Sequence, residues 1–293
     1  MTKTINLGVL GIDHGHIFDM LDEMLKEGCS CNYFWTEGSP LTLDEFSKRY
    51  PQIKRVDNKS YILNDDTIDM ILISSIPKDR ANLSIDAMKA GKDVMVDKPG
   101  CTTLEQLNNL KQTVKETGKI WSINFSERFH VAAVTKAEEL VAEGKIGKVK
   151  QTIGTGPHRQ GNYERPDWFY DRDSYGGIIT DIGSHQIHQF LVFTNSNEAK
   201  VNHALVENTT RKEFAGFQDF GEVNLTGNGG HGYVRLDWFT PDALHTWGDG
   251  RLFILGDKGF IEIRKYTDLA KSEKGNHLFP VSYTHLRAHE TLT

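Results

Sequence analysis

Short apolar runs alternate with amphipathic segments through the first part of the chain. Ile5 to Leu10 reads as a buried strand. The turn Gly11-Ile12-Asp13-His14-Gly15-His16 follows, and then a segment through Lys26 with Ile17, Met20, Leu21, Met24 and Leu25 on one helical face. Cys31 to Trp35 is a second strand, and Asp69 to Ser75 is an apolar run that stops at Ile76-Pro77. A helix through Ala90-Gly91 leads to the strand Val94-Met95-Val96, which breaks off at Asp97-Lys98-Pro99-Gly100. Such alternation of strands and helices predicts a parallel, doubly wound sheet.

From Val149 the pattern changes to successive strands: Lys150 to Gly154, Val201 to Asn208, Gly221 to Thr226, Gly232 to Phe239, Arg251 to Leu255 and Phe260 to Arg264. Gly227-Asn228-Gly229-Gly230 and Gly256-Asp257-Lys258-Gly259 are hairpin signals. Tyr233 to Trp238 alternates polar and apolar residues, as expected of a sheet with one wet or interface-bearing face. Large open sheets tend to cover themselves by pairing, so a homo-oligomer is expected.

Composition narrows the function classes. A chain of 293 residues, 38% hydrophobic and 25% charged, is an ordinary globular sequence long enough for two domains. Its net charge of -6 leaves no basic footprint for nucleic acid. No apolar run approaches the ~18 residues of a membrane span. The amino terminus passes directly into a strand, which leaves no room for a signal peptide. Cys29, Cys31 and Cys101 make neither a disulfide framework nor a zinc-ribbon spacing. A cytoplasmic protein without nucleic-acid or membrane partners is expected.

Candidate chemistry gathers where strands end, because ligands of open α/β sheets sit at the carboxyl ends of the strands. Lys98 occupies such an end, and Pro99 restricts it to extended geometry, aiming its ammonium toward the crevice. The alternative is a surface lysine in a strand-to-helix turn. Strand, glycine turn and helix at Gly11 to His16 open a dinucleotide-binding unit, in which helix amides receive the pyrophosphate. Gly11 fits the first position of G-x-G-x-x-G, but Asp13 stands at the second and His16 at the third. Glu37, beyond the second strand, is placed to hold the adenosine ribose hydroxyls, and no arginine or lysine is expected near it to receive a 2′-phosphate. NAD is therefore the expected cofactor, with Gly11, Ile12, Asp13, His14, Gly15, His16, Glu37, Ser75, Ile76, Pro77, Asp97 and Lys98 as its candidate contacts.

A helix starting after Gly176-Gly177 would carry Asp181, His185 and His188 at i, i+4 and i+7 on one face. Histidine suits removal of a carbinol proton near neutral pH. A helix holding a satisfied buried His–Asp contact is the bland alternative. His188 with Asp181 and His185, and Asp13 with His14 and His16, are donor sets that metals use, but no metal is expected, since a site needs fixed geometry and supporting contacts. Between the two motifs, Gly156-Pro157-His158-Arg159 and the aromatic run from Tyr163-Glu164 to Tyr170 suit a polyol, with donors for hydroxyls and flat faces for ring carbons. His158, Arg159, Trp168 and His188 are the candidate substrate contacts, whereas Phe169 is read as packing.

The chain resembles the Gfo/Idh/MocA family of NAD(P)-dependent oxidoreductases. The resemblance rests on Ala87-Met88-Lys89-Ala90-Gly91-Lys92-Asp93-Val94 leading into Asp97-Lys98-Pro99, similar to that family's Glu-Lys-Pro motif with aspartate for glutamate. It continues at Gly144-Lys145-Ile146-Gly147-Lys148-Val149 and at Gly176 to His185. It implies a Rossmann domain over 1–123 and an α+β domain with an open, mainly antiparallel sheet over 124–281, for substrate binding and oligomerisation. It also implies a nicotinamide cofactor, a sugar or cyclitol substrate, and Lys98, Asp181 and His185 as the catalytic set. His188 departs from the family, which often carries aspartate there. Residues 282–293, including His285 and His289, have no convincing periodicity and are read as a non-native tail outside any site.

The expected function is hydride transfer from a carbinol carbon to NAD, with His185 as general base and Lys98 stabilising the alkoxide. Two alternatives stay open. One is transient oxidation followed by elimination or hydrolysis and re-reduction, as in NAD-dependent glycosidases. The other is a non-catalytic ligand-binding protein, for which Asp13 and His16 in the phosphate loop are the motive.

Overall fold

A computed structural model describes residues 4–161, 165–266 and 275–282. Tyr163, Glu164 and the tail from 283 onward lie outside the described residues. The chain divides into two compact units, one of residues 1–124 with 165–176 and one of residues 125–164 with 177–293.

The first unit is built on six parallel strands, β1 (Asn6–Leu10), β2 (Ser30–Trp35), β3 (Lys54–Arg55), β4 (Met70–Ile73), β5 (Asp93–Asp97) and β6 (Trp121–Asn124). Their spatial order is β3-β2-β1-β4-β5-β6. Side chains alternate across a strand, so Leu7, Val9, Leu72 and Met95 join one apolar cluster while Leu10, Ile71, Ile73, Val94 and Val96 join another. Two cores on one sheet require helices on both faces, which explains why these strands read as continuous apolar runs rather than alternating ones. The helix His16–Lys26 buries Ile17, Phe18, Met20 and Leu21, and the helix Pro77–Lys89 opens on a proline at a position where the missing N–H costs nothing.

The second unit carries β7 (Val149–Pro157), β8 (Ala199–Glu207), β9 (Phe220–Gly227), β10 (His231–Asp237), β11 (Arg251–Gly256), β12 (Gly259–Arg264) and β13 (His277–Ser282). They lie in the order β13-β12-β11-β7-β10-β9-β8, antiparallel except for the parallel pair β7/β10. Both expected hairpins form, β9 with β10 and β11 with β12. One face of the sheet packs Leu252, Ile254, Ile261 and Ile263 against Val131, Val134, Ala137 and Phe193 from its helices. Ile153, Val201, Phe253 and Leu255 remain exposed, and every residue of β8 is exposed. The helix expected after Gly176-Gly177 is two segments, Ile178–Asp181 and Gly183–Phe193. They join at Ile182, whose own backbone is α-helical, and His185 N–H donates to Ile182 O, so the turn tightens there. Among the described residues, no helix is long and apolar enough to cross a membrane.

Gly11 is where backbone freedom is indispensable. Its φ is +79°, and a Cβ there would fall 2.4 Å from Ser75 Cβ and 2.7 Å from Ser75 Cα. Gly15 has φ -62°, and a Cβ there would meet nothing within 4 Å. In urea unfolding, Gly11→Ala is expected to lose about 1–3 kcal/mol, whereas Gly15→Ala is expected to be neutral or slightly stabilising. Equal behaviour of the two variants would refute this account of the turn.

Candidate functional site

The loops after β1, β2, β4 and β5 all lie at the carboxyl edge of the first sheet and are tied to one another. Gly11 N–H donates to Trp35 O at 2.7 Å, Ser74 N–H to Gly11 O at 3.2 Å and His14 N–H to Ser74 O at 3.0 Å. The first joins the ends of β1 and β2, and the other two join β1 and β4, on either side of which the chain winds in opposite directions, the point where such sheets bind ligands.

On the β2 side of this point is a cleft of about 370 Å³ whose lining includes Gly11, Asp13, Trp35, Glu37, Ser75 and Asp79. No side chain caps the helix beginning at His16, and Ile17 and Phe18 N–H donate to His14 O at 3.3 Å and Gly15 O at 3.2 Å, so the positive end of the helix dipole carries no acidic side-chain cap. The close approach at Gly11, the positive end of this helix and the carboxylate of Glu37 fit a dinucleotide. Ile76 and Pro77 begin the next helix beside the cleft, and Ile76 also lines it. The expectation that no cation stands near Glu37 is corrected by the fold. Lys59 lines the same cleft, and Arg55 donates to Thr36 O at 3.1 Å and Gly38 O at 2.6 Å. Neither residue is adjacent to Glu37 in sequence; β2/β3 pairing and the following helix bring them in. Lys59 is paired with Asp86 at 2.7 Å.

Asp13, at the unusual second position of the loop, has its pKa raised to about 6, chiefly because burial penalises the carboxylate. Backbone N–H groups of Asp13 itself and of Ile76, together with Arg80, partly offset this, and Asp79 adds to it. His16, at the third position, turns its ring toward the end of β5.

There the two histidines meet Asp97, which is fully buried. His16 Nδ1 is hydrogen-bonded to Asp97 Oδ1 at 2.8 Å, and His14 Nδ1 lies 2.8 Å from Oδ2 without the alignment of a hydrogen bond. Arg80 Nη2 donates to Oδ2 at 2.9 Å, and Ser74 Oγ lies 3.3 Å from it. The two imidazoles stand edge to face with centroids 4.3 Å apart, and Trp168, from the segment that returns to the first unit, lies 6.4 Å from His14. Burial, aided by His16 and Lys98 and opposed by Asp97, lowers the His14 pKa to about 4. Although 31% of the His14 side chain is exposed, its Nδ1 is shut off from solvent, which is the atom that matters. Asp97 is held well below the usual carboxylate range, because Arg80 and the two histidines outweigh its burial. Lys98, the next residue, is 5% exposed.

This cluster revises the expected donor sets. Among the described residues, the one group of three metal-type donors within 4.8 Å is His14, His16 and Asp97, and Asp13 is not part of it. Arg80 already balances the carboxylate, so an added dication would bury unmatched charge. Arg80 and Ser74 were not among the sequence candidates. The available signal was the 3–4 spacing of Arg80 with Pro77, Ser84 and Ala87, the buried stripe of its helix.

In the second unit His185 is 3% exposed, with its ring 6.0 Å from Phe125. His188 stacks at 4.2 Å on the same ring, and Arg128 Nη1 lies 3.4 Å from its Nε2. Burial and then Arg128 lower the His188 pKa to about 4, so it is neutral. Asp181 ends the first helical segment and is half-buried, its carbonyl accepting from Ser184 Oγ. His158 packs edge-on against Trp238 and Trp247, at 5.2 and 5.9 Å. Arg159 donates to the carbonyls of Leu244 and Thr246 and pairs with Asp242, a set of contacts that pins the loop after β10.

Residues 42–125 match the model of the oxidoreductase family, NAD-binding Rossmann fold, and residues 134–262 match that of the GFO/IDH/MocA C-terminal domain. A solved structure from Erwinia carotovora atroseptica, provisionally named an oxidoreductase, is 39% identical with a TM-score of 0.92, covering 99% of this chain and 92% of its own. Scyllo-inositol 2-dehydrogenase (NADP(+)) of Bacillus subtilis is 25% identical over 194 residues, 64% of this chain and 51% of that protein. D-xylose dehydrogenase of Paenarthrobacter nicotinovorans is 30% identical over 129 residues, 42% and 33% respectively. The chain spans about half the length, or less, of these two curated relatives.

The raised pKa of Asp13 has a measurable sign. The folded state holds this proton more tightly than the unfolded chain, so the associated stability is complete below about pH 4 and is lost as pH rises through about 6. The stability of Asp13→Asn relative to wild type should therefore increase from pH 4 to 7 and then level off. A pH-independent difference in chemical denaturation would contradict the assignment.

Proposed function

The chain belongs to the Gfo/Idh/MocA family of oxidoreductases, and from that premise we propose that it is an NAD-dependent dehydrogenase of a sugar, cyclitol or related polyol. The observation that carries the reading is Lys98, nearly buried at the carboxyl end of β5 beside the Asp97 cluster, in the same unit as a cleft that fits a dinucleotide. Bound NAD would supply the hydride acceptor. Gly11, the amides at the start of the helix His16–Lys26, and Glu37 would hold it, with the helix N-terminus receiving the pyrophosphate.

In this reading the Lys98 ammonium stabilises the alkoxide that forms as the carbinol carbon is oxidised. His185 takes the hydroxyl proton, and Asp181 orients substrate or tunes that histidine. Trp168, His158 and His188 remain candidate substrate contacts through their flat faces. Arg159 contributes instead by fixing the loop that carries Trp247, because its guanidinium is committed to that loop's carbonyls. The exposed apolar residues on the outer face of the second sheet fit a homo-oligomer.

NAD is favoured over NADP because Glu37 and Asp79 both line the cleft and would repel a 2′-phosphate. A specific observation supports the second reading, NADP, since Lys59 and Arg55 stand near the same turn. Lys59 is already paired with Asp86, and Arg55 is held by two backbone carbonyls, which is why we prefer NAD.

NADH and NADPH titrations followed by fluorescence are expected to give at least about tenfold tighter binding of NADH, narrowing in Glu37→Ala. Tighter NADPH binding in the wild type would decide for the second reading. Turnover should be screened with scyllo-inositol, myo-inositol, D-xylose and levoglucosan. Lys98→Ala and His185→Ala are each expected to lower kcat by about 10²–10⁴-fold while NADH affinity stays within a few-fold. A variant with near-wild-type turnover would lose its role in the mechanism.

A further inference from the structure

Arg80 is 0% exposed, and its guanidinium faces four backbone or side-chain acceptors at once. Nε donates to Ser75 O at 2.8 Å, Nη1 to Lys98 O and, at 3.3 Å, to Pro99 O, and Nη2 to Asp97 Oδ2 at 2.9 Å. Ser75 belongs to the loop that closes against Gly11, and Lys98 is the lysine assigned above to the reaction. The planar fork of arginine matches this arrangement, which lysine could not reproduce with a single ammonium.

We propose that Arg80 is the positioning residue of this centre: one buried guanidinium locks the Asp97-Lys98-Pro99 turn to the Ser75 loop and is the principal counter-ion of Asp97, ahead of His14 and His16. The first half of the proposal rests on the reading of Lys98 in the preceding section. The second half stands on the cluster alone.

Three cationic or potentially cationic groups compete for one buried carboxylate. The groups facing the histidines are Asp97 from β5, Lys98 beyond β5 and each other, with Ser74 and the Trp168 ring beside His14, and Arg80 meets them through Asp97. Asp13 also lies within electrostatic reach of Arg80. With Arg80 present the carboxylate is balanced, and a protonated histidine would be surplus charge beside Lys98. Without it the buried charge is uncompensated, and the histidines become its only counter-ions in reach besides Lys98.

The test is Arg80→Met in the full-length protein, read by histidine NMR titration, with His14→Gln and His16→Gln for assignment. At least one of the two histidines is expected to rise in pKa by more than about one unit, and kcat for the best polyol of the screen to fall by at least about tenfold, with NADH affinity changed less than about threefold. Because Arg80→Met strands a buried charge, the double variant Arg80→Met/Asp97→Asn removes both partners. It should regain much of the melting temperature and reverse the histidine shift without recovering turnover, since the Lys98 carbonyl still lacks its donor. Unmoved histidine titrations in Arg80→Met would overturn the charge-balancing role. Turnover restored in the double variant would overturn the positioning role. If the wild type oxidises no polyol, the reading of its function fails, and the histidine titration alone decides the role of Arg80.

Discussion

The carboxylate of Asp97 is the constraint around which the first unit is arranged. Removing such a charge from water costs several kcal/mol, recovered only when its oxygens are met by well-placed donors. Three segments gather around the Asp97 that β5 carries: the loop after β1 through His14 and His16, the residue after β4 through Ser74, and the helix Pro77–Lys89 through Arg80. None of these segments can move far without stranding a charge. The carboxyl edge of the sheet is therefore held in one arrangement, which is what the proposed role of Lys98 needs.

That constraint also explains the departures in the phosphate loop. The third position of the dinucleotide fingerprint usually holds a glycine so that helix and strand can approach; here His16 fits because its ring extends to Asp97. Asp13 at the second position would repel a diphosphate if fully charged, and its burial brings its titration to about pH 6, close to where a nearby phosphate could hold it neutral. Loop and carboxylate thus depart together from the common pattern.

The second unit uses a different device. His185 and His188 lie on one helix and share the ring of Phe125, and burial, with Arg128 clamped by Glu138 at 2.7 and 2.9 Å beside it, lowers the His188 pKa. Aromatic contact and a fixed cation set these side chains, without a central carboxylate of the Asp97 kind. Arg159 does for the loop near Trp247 what Arg80 does for Lys98, since in both cases a guanidinium is committed to backbone carbonyls.

Local pattern was enough for much of this. Apolar runs bounded by Gly and Pro located β1, β2, β4, β5 and the strands β7 to β12, because strand periodicity and hairpin chemistry are properties of neighbouring residues. Gly11, Lys98 and His185 were legible as candidates for the same reason. The two-residue β3, the short β6 and the proline-containing β13 carry too little local signal and form by pairing with strands already in place. The partners of Asp97 were not legible either, for they come from positions 17 to 83 residues away. Nor were the cations that the fold brings beside Glu37. Sequence by itself determined which segments become strands and helices and which strand ends bear chemical groups. Only the tertiary structure decided which of those groups share a charge, because that depends on distances between segments that no local pattern encodes.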